Sequence, residues 1–305
     1  MSPDLVPVSL PAAPAAANSA DVTVTRLMSP ADPDAVLLQL WLHGRSPATQ
    51  DAYRRDVARF QTFVDRPLAH VTLGHLQAFA DHLDACGLAP ASRKRMLSAV
   101  KSLYTFAERT GALQYNVGAA VILPKSKNTI GERILSESEV QRLIDGEPDA
   151  RNQLLLRLLY ATGARVSEIC RLCWRDCQAQ KGGGQVTLYG KGQKTRHVLL
   201  KPETFIELLT QRGGALADAP VFRSEAGDAL SRQQVFRIVK AAAIRAGLSE
   251  DVSPHWLRHA HASHALDRGA PPHLVQATLG HASLDTTSKY AHARPSDSSA
   301  RYLAL

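Results

Sequence analysis

Between residues 34 and 115 apolar positions recur at steps of three and four, the period of a helix that buries one face. "DAVLLQLWLHG" predicts a first helix that stops at Gly44. "SPATQDAYRRDVARFQTFV" predicts a second, with Ser46 as N-cap, Pro47 at the first helical position, and Tyr53, Val57, Phe60 and Val64 on its apolar side. "TLGHLQAFADHLDACG" starts at the capping residue Thr72 and stops at Gly87. "PASRKRMLSAVKSLYTFAERTG" places Leu97, Val100, Leu103 and Ala107 on one side and closes at Gly111. These four helices predict a small domain over residues 34–116. The stretch "NVGAAVILPKSKNTIGER" has no helical period and contains Pro124 and Gly131, so 117–133 is expected to be a linker.

Helical periodicity resumes at "LSESEVQRLI", where Ser136 and Glu139 have the spacing of a capping box. The period then changes. "QVTLYGKGQKTRHVLL" has two β-rich runs around "GKGQ", the pattern of a hairpin. Helical runs follow in "SRQQVFRIVKAAAIRAG", "SPHWLRHAHASHALDRG" and "PPHLVQATLG". The fold class expected is mainly α in two domains, the second (134–305) being α+β, mostly helical with a small antiparallel sheet. Residues 1–33, rich in Ala and Pro, are expected to form a disordered leader. They lack the positive start and continuous apolar core of a signal peptide.

A length of 305 residues suits two domains, and a hydrophobic share of 45% supplies their cores. No apolar run approaches the roughly 18 to 20 residues of a membrane helix, so no membrane partner is expected and the cytoplasm is the expected location. The net charge of +8 favours a polyanionic partner such as nucleic acid, because Lys and Arg release condensed counterions on contacting phosphates. The polar side of the fourth helix carries Arg93, Lys94, Arg95 and Lys101 with no acid before Glu108, and these are candidate DNA-phosphate contacts. Cys170, Cys173 and Cys177 fall at i, i+3 and i+7. That spacing predicts structural thiols along one helix face, and no second Cys or His pair completes a zinc site.

Several polar residues invite a chemical reading. "ATGARVSEI" breaks a helix at Thr162-Gly163 and restarts it at Arg165, where an anion would explain a cation at a helix start; Glu168 is placed to orient that guanidinium. Lys191 stands at the hairpin tip between two glycines, and His255 and Arg258 lie three apart on one helix. Two arginines from distant segments suit the non-bridging oxygens of one phosphodiester, since each planar fork bonds oxygens bidentately and stays charged. His255 and His259 have the i, i+4 spacing of zinc proteases, but those need a glutamate between the histidines, and "HWLRH" has none; Arg258 lies there instead and would repel a dication. His281 is followed nine residues later by Tyr290, near the end of the chain.

Together "TGARVSEI", "GKGQKTRHV", "HWLRH" and "LGHASLDTTSKYAHA" resemble the tyrosine recombinases, the phage-integrase family of site-specific DNA recombinases, and most of all the Xer-type members. The resemblance spans about residues 34 to 295. It implies that the small domain is a SAM-like core-binding domain, which closes a clamp around DNA with the catalytic domain. It implies six catalytic residues: Arg165, Lys191, His255, Arg258, His281 and Tyr290, the last as nucleophile forming a 3′-phosphotyrosyl bond. No metal, ATP or other cofactor is implied. The implied partners are double-stranded DNA with paired recombination sites and a homotetramer or a heterotetramer with a related recombinase. The tail "ARPSDSSARYLAL" is expected to dock on a neighbouring subunit. Asn116 is followed by Val117 where the family often has Asn-Pro. A transposon or integrative-element recombinase, a DNA-binding factor without activity and a metal-dependent nuclease are the competing expectations.

Overall fold

The computed structural model of the chain describes residues 32–124, 131–190 and 194–280. The chain divides into two compact units, Met1–Lys127 and Asn128–Leu305. The expected leader, the hairpin-tip residue Lys191 and the segment bearing His281, Tyr290 and the tail lie outside the described residues.

In the first unit the described helices are α1 (Pro33–Leu42), α2 (Pro47–Val64), α3 (Leu73–Ala85) and α4 (Pro90–Arg109). Their starts follow from the sequence. Proline occupies the first turn of α1, α2 and α4, where its missing N–H costs nothing. Thr72 caps α3 by accepting from the His75 amide, while the His75 ring accepts from the Thr72 amide. The expected apolar sides face one core of Trp41, Phe60, Phe79, Leu97, Leu103 and Tyr104. Phe60 meets Phe79 edge to face with ring centres 5.1 Å apart. After α4 the chain continues along this core, with Val121 buried in it.

In the second unit α5 (Glu137–Asp145) opens with the Ser136–Glu139 capping box. Then come α6 (Ala150–Thr162), the four-residue α7 (Val166–Ile169), a sheet and, among the described residues, four more helices. Strands β1 (Cys177–Gln180), β2 (Gly183–Tyr189) and β3 (Thr195–Leu200) pair antiparallel in that order. The expected hairpin is β2–β3, with Val186 opposite Val198 and Leu188 opposite Arg196. The helices that follow are α8 (Pro202–Thr210), α9 (Arg232–Arg245), α10 (Pro254–Asp267) and α11 (Pro272–Leu279). Leucines 154, 155, 156, 158 and 159 put α6 at the centre of this core.

One expectation is corrected. Cys170, Cys173 and Cys177 do not share a helix face. The helix ends at Ile169, Cys170 caps it, a 3₁₀ turn occupies Trp174–Asp176, and Cys177 begins β1. The turn forms because Asp176 accepts from the Cys173 amide at 3.0 Å and Trp174 is drawn into the core. The thiols are half-buried. Burial raises all three pKa values, that of Cys177 to about 12, so they stay protonated at neutral pH. Among the described residues no helix is long and apolar enough to cross a membrane.

Candidate active site

The site is built where α6 ends. Gly163 takes a left-handed conformation (φ 56°) and turns the chain out of α6, and Arg165 then caps α7. Space is short at that turn. A Cβ on Gly163 would lie 2.5 Å from Leu279 Cδ2 and 2.9 Å from His261 Cδ2. The freed carbonyl of Gly163 accepts from Arg258 Nη1 at 2.5 Å, and the carbonyl of Leu279 accepts from Arg258 Nη2 at 2.7 Å. Arg258, on the second turn of α10, is thereby held almost fully buried.

Arg165 remains half-exposed and is held from behind. Glu168 Oε1 accepts from Arg165 Nη1 at 2.9 Å, and Oε2 accepts from the Arg165 backbone amide at 2.7 Å. That amide is therefore not left open for an anion. A second cation grips the same carboxylate: Arg196 Nη1 donates to Oε1 at 2.7 Å and Nη2 to Oε2 at 2.6 Å. Burial pushes the Glu168 carboxyl up, but the hydrogen bonds and charge of Arg196 and Arg165 more than offset it and hold its pKa below the usual 4.5. Glu168 is a permanent anion under two cations.

Arg196 was not among the residues singled out from sequence. Strand periodicity carried the signal, because Arg196 alternates in step with the buried Val198 and Leu200 and so points to the core face of β3. A cation on that face needs a buried partner.

His255, on the first turn of α10, keeps an exposed surface. Partial burial and the positive charges of Arg258 and Arg165 hold its pKa below the usual 6.5, which leaves the imidazole neutral and basic at pH 7. His259 is held down to about 4 by burial and by its neighbours His255 and Arg258. His261 and His264, further along α10, both contact one residue of α6. His261 Nδ1 donates to the carbonyl of Tyr160 at 2.8 Å, and His264 Nδ1 lies 2.9 Å from the Tyr160 hydroxyl. Both fasten α10 to α6. Among the described residues no group of three or more His, Cys, Asp or Glu has the arrangement of a metal site.

Lys191, His281 and Tyr290 are outside the described residues, but the residues leading to two of them are not. A Cβ on Gly190 would lie 3.3 Å from Glu168 Oε1 and 3.9 Å from Arg165 Nη1. Gly280 accepts from Arg165 Nη2 at 3.3 Å through its carbonyl. The chain therefore enters the hairpin tip, and leaves α11 towards His281, beside the same guanidinium.

These distances join four separated stretches of sequence around two arginines, and known proteins are similar to this chain both in overall sequence and in fold. The model of the phage integrase family matches residues 133–297, and that of the phage integrase N-terminal SAM-like domain matches residues 37–111. The chain belongs to the phage integrase family. The tyrosine recombinase XerC of Xanthomonas axonopodis pv. citri (strain 306) is 34% identical over 267 residues, covering 81% of this chain and 87% of that protein. The tyrosine recombinase XerD of Shewanella oneidensis is 33% identical over 275 residues, covering 85% and 91%. A lambda integrase dimer bound to a COC′ core site shares the fold with a TM-score of 0.71 at 21% identity, over 87% of this chain and 95% of that one. XerH bound to a palindromic difH substrate does so with a TM-score of 0.69 at 24% identity, over 85% and 81%. This family member is a Xer-like tyrosine recombinase, an enzyme of DNA strand cleavage and rejoining.

The four candidate phosphate contacts of α4 sit in the first unit of the recombinase. Arg93 is paired with Asp84 and Arg95 with the buried Asp56. Lys101 Nζ donates to the carbonyls of Ala119 and Val121 at 2.9 and 2.6 Å. Lys94 is exposed. Three of the four thus have partners within their own unit.

Proposed function

We propose that this recombinase cuts and rejoins double-stranded DNA at paired sites, with Tyr290 as nucleophile and Arg165, Lys191, His255, Arg258 and His281 as its catalytic partners. The observation that carries the reading is the fastening of Arg165 and Arg258, from separate helices, at the two positions where the chain runs towards Lys191 and His281. In this reading the Tyr290 oxygen attacks phosphorus and its proton passes to His255, which is neutral and able to accept it. The bond from phosphorus to the 5′ oxygen breaks, and Lys191 protonates the departing oxygen. The products are a 3′-phosphotyrosyl bond and a 5′-hydroxyl. Arg165 and Arg258 stabilise the charge on the pentacoordinate phosphorus, and His281 adds a hydrogen bond. One phosphodiester is exchanged for another at nearly equal energy, so rejoining requires no ATP.

The fuller reading follows from the Xer likeness. A cyclic tetramer, of this chain alone or with a related recombinase, assembles on two sites in the cytoplasm and resolves chromosome or plasmid dimers. Residues 34–116 act as the core-binding domain, with Arg93, Lys94, Arg95 and Lys101 facing phosphates, and residues 134–305 as the catalytic domain after a linker at 117–133. The test is a nicked suicide substrate selected by pull-down from source DNA. Wild type should yield a denaturation-resistant protein–DNA adduct and Tyr290→Phe none. An adduct from the variant would overturn the assignment of the nucleophile. Binding without an adduct from wild type, even with related recombinases added, would overturn the catalytic reading.

A further inference from the structure

Arg196 has no chemical role in the scheme above, yet it is fastened at the centre of the site. Its side chain is 9% exposed, so it offers little surface to a substrate phosphate. Two of its nitrogens bond both oxygens of Glu168, and Nε donates to the carbonyl of Thr278 at 2.6 Å, near the end of α11. Its Cδ lies 3.4 Å from where a Cβ on Gly280 would stand. One side chain on β3 therefore ties three things together: the carboxylate behind Arg165, the strand that returns from the hairpin tip, and the exit of α11 towards His281.

We propose that Arg196 is a positioning residue for strand cleavage, acting through Glu168 on Arg165. The proposal rests on Arg165 binding the scissile phosphate. Two physical effects carry it. The first is geometric. Each Glu168 oxygen accepts one bond from Arg165 and one from Arg196, so the carboxylate cannot rotate without breaking bonds to both. The second is electrostatic. A carboxylate facing Arg165 alone would neutralise it. Shared between two guanidiniums, the single negative charge leaves the trio one unit positive, directed where an anionic phosphate would bind. Lysine cannot replace this arrangement, because a point ammonium does not span two carboxylate oxygens and a carbonyl with a planar fork.

The test compares Arg196→Gln, Arg196→Lys and Arg165→Ala with wild type in adduct formation on the nicked substrate at saturating protein, alongside DNA affinity and thermal unfolding. Displacing Arg165 by a fraction of an ångström to an ångström should slow adduct formation by roughly 10²-fold in Arg196→Gln. Arg196→Lys should fall between, and DNA affinity should be unchanged. A second substrate carries a methylphosphonate at the scissile position, which has no negative charge for Arg165 to neutralise. On it, Arg196→Gln and Arg165→Ala should both recover most of the lost rate relative to wild type. A merely structural role would not produce that recovery. If Arg196→Gln does not fold, Arg196→Lys carries the comparison. Wild-type rates in the Arg196 variants, or a loss that persists undiminished on the methylphosphonate, overturn this proposal and leave the catalytic reading intact. No Tyr290-dependent adduct from wild type overturns the catalytic reading, and this proposal with it.

Discussion

Replacing Gly163 by alanine should damage stability and catalysis together. At φ 56° an L side chain is strained, at about 1–2 kcal/mol. The new methyl would also stand 2.5 Å from Leu279 Cδ2, well inside contact, with His261 Cδ2 at 2.9 Å on another side. Leu279 is fully buried against Ala262 and Val275, so it has little room to retreat. Overpacking of this kind costs about 1–3 kcal/mol. The total is about 2–5 kcal/mol, a sizeable part of the roughly 5–15 kcal/mol that holds a typical domain. In a thermal melt that corresponds to a drop of about 5–15 °C for a unit of this size. Any shift that relieves the clash moves Gly163 against Leu279, and both their carbonyls hold Arg258. Adduct formation per folded molecule should therefore fall at least about tenfold, since an ångström of misplacement is costly in a preorganised site. A Gly163→Ala protein that melts within about 2 °C of wild type and forms adduct at the wild-type rate would refute both the packing and the anchoring.

Three further outcomes are expected. His261 has a pKa of about 4 in the folded protein against the usual 6.5, because burial disfavours its charged form. The unfolded chain binds the extra proton between those values, so stability is complete above about pH 6.5 and falls by up to about 3 kcal/mol as the pH drops towards 4. Urea midpoints across that range should show the slope, to which His259 also contributes; His261→Asn should reduce it, and an unchanged slope in the variant would place the titrating group elsewhere. In the first unit, Asp56→Asn should cost about 1–3 kcal/mol, discounted because its partner Arg95 is half-exposed. A melt unchanged by that substitution would show the pair to be worth nothing. Chelation by EDTA should leave adduct yield unaltered, and loss in chelator restored by added metal would refute cation-only catalysis.

Most elements could be read from local sequence because their signals are local. Thr72, Ser136 and the prolines at helix starts act within one turn, and the hairpin announces itself by a change of period. What local sequence did not reveal depended on contacts distant in sequence. The basic face of α4 shows no acid along its own helix before Glu108, yet Asp84 and Asp56 reach Arg93 and Arg95 from α3 and α2. The cysteine spacing fits a helix, but the chain leaves the helix at Cys170, where Trp174 is drawn into the core and Asp176 captures an amide. At the candidate site, Arg165, Glu168, His255 and Arg258 were legible as residue types in motifs. Arg196 was not, because its meaning depends on Glu168, which lies 28 residues earlier in the chain.

The two site arginines differ in how inheritance can reach them. Arg165 depends on a neighbour's carboxylate, and a single codon change at Glu168 removes it. Arg258 is anchored by the main-chain oxygens of Gly163 and Leu279, atoms that every amino acid carries. No substitution deletes such an acceptor; only a change in the path of the backbone can. The side chains around Arg258 are therefore freer to drift over generations, provided the turn at position 163 keeps the one residue that fits it.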